Sequence, residues 1–243
     1  MNFQTDPYIE KLAVNEKEET FGLIICALFH APQPRTLDLF YNRLFHEFNS
    51  VLDDDEKQSI YLYPNYALHI TIATLINFKT MTGLKNEEER KSMIDHWSDK
   101  SKLMKARMSQ IKSFYIEINS IQLSPAAGYI QYSDASDNQI QQLRDYIKQT
   151  CIIDNDNEQL SSRVHIPDII HTTFLRFKQN TIKNSQTFIE KFQTINNRLK
   201  EQPIITIEID EICIACETHP YMHIPNDSDH VLKHIHLMKS IKN

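Results

Sequence analysis

Glycine is scarce in this chain, with only Gly22, Gly83 and Gly128 among 243 residues. None of the three belongs to a G-x-G-x-x-G or G-x-x-x-x-G-K-[ST] arrangement, which excludes the glycine-rich phosphate cradles of dinucleotide-binding and P-loop proteins. Cysteine is scarce too, at four. Four cysteines in a chain of this length do not make a disulfide framework, so a reducing compartment is expected: the cytoplasm, with the nucleus as the alternative. No apolar run reaches the roughly 18 residues of a membrane span. The opening stretch MNFQTDPYIEKLAVNEKEET has no basic region followed by an apolar core, so no secretory signal and no membrane partner are expected. Dense basic clusters are also missing, and the net charge is −6. Tracking a long nucleic-acid backbone calls for a basic face. A nucleic-acid substrate for this chain would therefore be a short one, or only the end of a long one.

What is present is an ordinary globular composition, 41% hydrophobic and 24% charged, long enough for a sizeable core. Residues 1–17 are polar and acidic and read as a flexible N-terminal arm. Residues 18–243 read as a single domain, because no low-complexity linker divides them. TFGLIICALFH reads as a strand. PRTLDLFYNRLFHEFNSVL follows with Leu37, Phe40, Leu44, Phe45, Phe48 and Leu52 at helical spacing. YPNYALHITIATLI is a strand after a Pro-Asn turn signal, and NEEERKSMIDHWSDKSKLMKARMSQI is a charged, mostly solvated helix. SFYIEINSIQLSP and AAGYIQYSD form a hairpin around Pro125 and Gly128. The second half continues with a helix (SDNQIQQLRDYIKQTC), an acidic irregular loop before His165, the strand IIHTTFLRF and a helix opened by an Asn-Ser cap. It closes on a strand or bent strand, PIITIEIDEICIACET, and one more strand, HVLKHIHLMKSI. The order predicts an α+β protein of two similar lobes, one from each half.

Chemistry concentrates in two of these strands. In HITI, His69 and Thr71 stand at i and i+2, and in HTTF so do His171 and Thr173. Residues two apart in a strand share a face. His96 with Ser98 has the same spacing but lies in the charged helix, where i and i+2 do not share a face. Two lobes facing each other would bring both His-x-Thr pairs into one cleft. There, one neutral imidazole takes a proton from the attacking oxygen and one protonated imidazole gives a proton to the leaving oxygen. The threonine hydroxyls donate to the non-bridging phosphate oxygens. Neither a metal nor a cofactor is called for.

HITI at 69–72 and HTTF at 171–174 resemble the two signature motifs of the 2H phosphoesterase superfamily, which includes LigT-type RNA ligases and RNA 2′,3′-cyclic phosphodiesterases. The resemblance implies a bilobal fold, with two pseudo-symmetric lobes of antiparallel sheet and outer helices around a central cleft. It implies His69 and His171 as the acid–base pair and Thr71 and Thr173 as phosphate holders. HTTFLR also sets Arg176 five residues after its histidine, where many LigT-like members carry an arginine that contacts phosphate. The corresponding place after His69 is Thr74, where an aromatic residue is frequent in those proteins. Strict alternation turns Arg176 away from His171, so the strand must bend for it to reach the cleft.

The resulting expectation is a monomeric, metal-independent phosphodiesterase that opens a 2′,3′-cyclic phosphate on a nucleotide or RNA end, with His171 as base and His69 as acid. A 2′-5′-linked or cyclic oligonucleotide is the alternative substrate, and a non-catalytic AMP-like nucleotide-binding module is the alternative function. Among the tyrosines near the motifs (Tyr63, Tyr66, Tyr129, Tyr132), Tyr66 and Tyr129 are the candidates to stack on a base. Cys213, Cys216, His219 and His223 have the residue types of a zinc site. The two-residue gap between the pairs is too short, however, and alternation sends the cysteines to opposite faces. The run DDDE at 53–56 reads as a solvated helix end.

Overall fold

A computed structural model describes residues 2–14, 19–29, 35–79, 86–136, 138–153, 164–178, 182–223 and 230–239. Gly83 and most of the acidic loop before His165 lie outside these residues. In chain order the elements are α1 (Pro7–Ala13), β1 (Leu23–Leu28), α2 (Arg35–Val51), α3 (Asp54–Ser59), β2 (Ile60–Leu62), β3 (His69–Ile76), α4 (Glu87–Met108), β4 (Phe114–Leu123) and β5 (Ala127–Asp134). Then come α5 (Gln139–Ile153), β6 (Ile170–Phe177), α6 (Ser185–Lys200), β7 (Thr206–Ile209), β8 (Glu211–Cys216) and β9 (Val231–His236). Among the described residues, no helix is long and apolar enough to cross a membrane.

The strands form two antiparallel sheets, ordered β3-β1-β8-β9 and β2-β6-β5-β4-β7. The two-lobed α+β expectation therefore holds, but the lobes are not the two halves of the chain. β2, from the first half, pairs with β6, and β8 and β9 return from the end of the chain to pair with β1 and with each other. The predicted bent strand PIITIEIDEICIACET is two strands, and the chain leaves one sheet for the other at Asp210, between β7 and β8. Alternating hydrophobicity marks the strands without saying which sheet each one joins.

Two local expectations change. The N-terminal segment is not loose over residues 2–14. Asp6 caps α1 by accepting from the Tyr8 N–H, and Ile9 is fully buried. Phe3 stacks on Phe177 with ring centres 4.2 Å apart, and the Asp6 N–H donates to the Phe177 carbonyl at 3.2 Å. Second, Asp53 begins a helix instead of ending one. Its carboxylate accepts from the Glu56 N–H at 2.9 Å while Glu56 accepts from the Asp53 N–H at 3.0 Å, a reciprocal capping box. The charged helix α4 is mostly solvated, as expected, and is held to the main core by Trp97, Met104 and Met108, each 1% exposed.

Both motif strands carry bulges. In β6, Tyr129 pairs with Thr173 and Gly128 with Leu175, so Phe174 is an extra residue. In β3, Cys26 pairs with Thr71 and Ile25 with Ala73, which leaves Ile72 extra. An extra residue shifts the side-chain alternation by one. Phe174 and Leu175 are both fully buried as a result, and Arg176 returns to the face of His171 and Thr173. Thr74 likewise returns to the face of His69 and Thr71.

Candidate active site

One cleft of about 290 Å³ is lined by His69, Thr71, His171, Thr173 and Arg176 together. It lies between the two sheets, because β3 is an edge strand of one and β6 belongs to the other. The β6 bulge supplies the bend that Arg176 needs. The β3 bulge places Thr74 in the cleft at the position, relative to its histidine, that Arg176 holds relative to His171. Lys79, Glu217, Tyr63 and Tyr221 also line the cleft.

His69 opens β3 and sets its Nδ1 2.9 Å from the Ala67 carbonyl. A ring nitrogen facing a carbonyl carries the proton, which makes Nε2 the ring atom that exchanges a proton with a ligand. His171 is the second residue of β6, and its Nδ1 is buried with no full hydrogen bond among the described residues. Burial pushes its pKa below the ordinary value. The Ile169 carbonyl opposes that shift, and the charges of Arg144 and Arg176 reinforce it. The Ile169 carbonyl already accepts from Arg144 Nη2 at 2.9 Å. His171 is consequently held neutral at neutral pH.

Arg176 is fixed on three sides. Its Nε donates to the Tyr63 hydroxyl at 2.9 Å, its Nη1 lies 3.6 Å from Asp6, and its guanidinium sits 4.0 Å from the centre of the Tyr221 ring. Asp6 also takes Lys79 Nζ at 2.9 Å and the Tyr221 hydroxyl. Burial works against ionisation of Asp6, but the Tyr221 hydroxyl, Lys79 and Arg176 outweigh it and hold the carboxyl below its ordinary range. The N-terminal segment thus supplies the counter-ion of the cleft's two cations. The sequence reading missed this because Asp6 lies far along the chain from both.

Neither of the two tyrosine candidates is among the residues that line the cleft. Tyr129 lies opposite Thr173 on β5, and its ring meets His171 edge to face at 5.5 Å. Tyr66 is 41% exposed and does not line the cleft; its ring stands 6.4 Å from His223. Tyr132 is buried and donates to the Thr172 hydroxyl, on the far face of β6. Cys213 faces Cys26 at 3.6 Å in a small apolar cluster, whereas Cys216 points into the main core, as alternation requires. Among the described residues, no group of three or more histidine, cysteine or acidic side chains is arranged to hold a metal ion.

His223 is buried beside the Tyr63 ring, 4.7 Å away, and donates from Nδ1 to the Pro220 carbonyl at 2.9 Å. Burial depresses its pKa to about 4, against the pull of the Pro220 and Tyr221 backbone and with the help of His69 and His219. A histidine with a lowered folded pKa contributes stability that is present above its unfolded value near 6.5, and that stability is lost as pH falls toward 4. Between pH 7 and 4.5 this one group withdraws about 2–3 kcal/mol. His223→Phe is expected to flatten the acid limb of a urea-denaturation series; an unchanged slope would contradict the assignment.

Glu217 follows β8 and had no signal in the sequence. The residue is 6% exposed, and the backbone N–H groups of Tyr221 and Met222 face its carboxyl. Gly22 makes room for it. A Cβ there would stand 2.9 Å from Glu217 Oε2 and 3.1 Å from the Ile76 carbonyl. Because the second neighbour is backbone, Gly22→Ala is expected to lose about 1–3 kcal/mol in chemical denaturation. A change near zero would mean that the wall yields.

No family model and no curated protein matches the sequence. Among solved structures, the Thermus thermophilus protein TT0787 is similar in fold, at 11% identity over 90% of this chain and 100% of that one, with a TM-score of 0.51. ATU0111, a conserved protein of unknown function from Agrobacterium tumefaciens, is similar at 11% identity over 90% and 88%, with a TM-score of 0.53. Escherichia coli LigT in its apo form aligns at 12% identity over 91% and 99%, with a TM-score of 0.49. At such identities the first two likenesses speak to the fold alone. The two antiparallel sheets around a cleft that the resemblance implied are present in this chain.

Proposed function

We propose that this protein hydrolyses a 2′,3′-cyclic phosphate on a nucleotide or RNA end by two-histidine acid–base catalysis. The observation that carries the reading is that two His-x-Thr pairs, on strands of two different sheets, line one cleft with Arg176. Neutral His171 takes a proton from water as its oxygen bonds to phosphorus. Protonated His69 gives a proton to the ribose oxygen as its bond to phosphorus breaks, leaving a monophosphate and a free hydroxyl. Each transfer is worth about 10²–10⁴-fold. The hydroxyls of Thr71 and Thr173 donate to the non-bridging oxygens, and Arg176 offsets their charge. The two imidazoles perform both proton transfers, so no step calls for a metal ion.

The cleft volume suits a single nucleotide or chain end, in keeping with the acidic net charge. The test is incubation of the full chain with adenosine 2′,3′-cyclic monophosphate in EDTA. Conversion to a monophosphate supports the reading. Tight binding without conversion would contradict it and favour a nucleotide-binding module.

A further inference from the structure

We propose that Glu217 is a specificity-determining residue of this cleft, its carboxyl donating a hydrogen bond to a phosphate oxygen of the bound nucleotide. The inference rests on the reading of the cleft as a phosphate site. Glu217 lines the same cleft as both histidines and Arg176. Its carboxyl is nearly buried, and no ion pair reaches it among the described residues. The backbone N–H groups of Tyr221 and Met222 face it. Those two residues hold φ of 56° and 58°, the left-handed region that non-glycine residues avoid at a cost of about 1–2 kcal/mol each. The Pro220–His223 turn thus keeps two strained residues beside this carboxyl, and such strain persists only where the surroundings over-determine it.

An ionised carboxylate in that wall would repel a phosphate. A neutral carboxyl has a proton to give to the ligand. Burial pushes the Glu217 pKa up to about 8, against the Met222 and Tyr221 N–H groups and the charges of Arg176 and Lys79. Other titratable groups feel its charge from each neighbouring element: Cys26 on β1, Cys216 on β8 and Tyr63 after β2. Burial raises all three, Cys216 to about 11, so none of them mimics a carboxyl that loses its proton between pH 7.5 and 9. Tyr221 is raised as well, and Asp6, which joins Arg176 and Lys79, is lowered.

The experiment is calorimetric titration of the full chain and of Glu217→Gln with adenosine 3′-monophosphate at pH 7.5 and 9. A phosphomonoester is already almost fully dianionic across this range, its second pKa being about 6, so a change in affinity belongs to the protein. The native chain is expected to bind about tenfold more weakly at pH 9. Glu217→Gln keeps a donor and an acceptor but cannot ionise, so its affinity should change less than about twofold. Native affinity that is flat to pH 9, or an equal fall in the glutamine variant, overturns the proposal. If the variant does not fold, infrared difference spectra of the native chain decide: nucleotide addition should shift the carbonyl stretch of a protonated carboxyl, and no shift overturns the proposal. Loss of affinity on this pattern without hydrolysis of the cyclic nucleotide would leave the Glu217 contact standing and remove the catalytic reading. Absence of binding at either pH removes both.

Discussion

His171→Ala is expected to slow hydrolysis of a 2′,3′-cyclic nucleotide by about 10²–10⁴-fold while the protein stays folded. The ring lies on the cleft face of β6, and its Nδ1 makes no full hydrogen bond among the described residues, so deletion strands no partner. His69→Ala should lose activity in the same range. The pH profiles tell the two roles apart. A base must be neutral to act, and burial holds His171 below the ordinary histidine value. The acid limb of kcat/KM should therefore have its midpoint below about 6.5 and disappear in His171→Ala. A variant with full activity, or an acid limb that survives removal of His171, would contradict the assignment of the base.

Asp6→Ala should be the most destabilising single change near the cleft, losing about 3–5 kcal/mol in urea denaturation. It removes the partner of Lys79, Arg176 and the Tyr221 hydroxyl at once, and with it the cap of α1. The Asp6 side chain is 8% exposed, so water cannot replace it readily. The Arg176 guanidinium would be left half-encased by Tyr63 and Tyr221 without its counter-charge. Asp6→Asn, which can still accept from Tyr221 and from the Tyr8 N–H, should fall between the alanine variant and the native chain. The sign with pH follows from the lowered pKa of Asp6. Its stabilisation is present above the unfolded carboxyl value near 4 and is lost as pH falls through the lower folded value, so the deficit of the alanine variant should shrink in strong acid. A loss below about 1 kcal/mol at pH 7 would show that the N-terminal segment is not part of the cleft's charge balance.

The four histidine and threonine positions were legible because period-two spacing survives in a strand whatever sheet it joins. Arg176 came only through the family resemblance, and spacing alone turned it and Thr74 away from the cleft, because each lies beyond a bulge. A bulge depends on a partner strand distant in the chain, and neither Phe174 nor Ile72 looks unusual in sequence. The longer helices α2, α4, α5 and α6 were legible, whereas the short α1 and α3 were not. The Asp53–Glu56 box lay open in the sequence, since D-x-x-E is a start signal, yet acidic residues after an amphipathic helix suggest an end. The partition of strands between sheets rests on contacts between opposite ends of the chain, such as β1 with β8, and no local pattern encodes them. Glu217 and Asp6 share that difficulty. A buried carboxyl is recognised by what surrounds it, and here the surroundings arrive from β1, β3, β6 and the N-terminal segment.

The most direct measurement is a crystal structure of the chain with adenosine 3′-monophosphate bound. The account predicts a phosphorus atom between the two lobes, with Nε2 of His69 and Nε2 of His171 each about 3 Å from a phosphate oxygen and the hydroxyls of Thr71 and Thr173 on the remaining oxygens. A phosphate held by one imidazole alone, or a nucleotide seated outside this cleft, would contradict it.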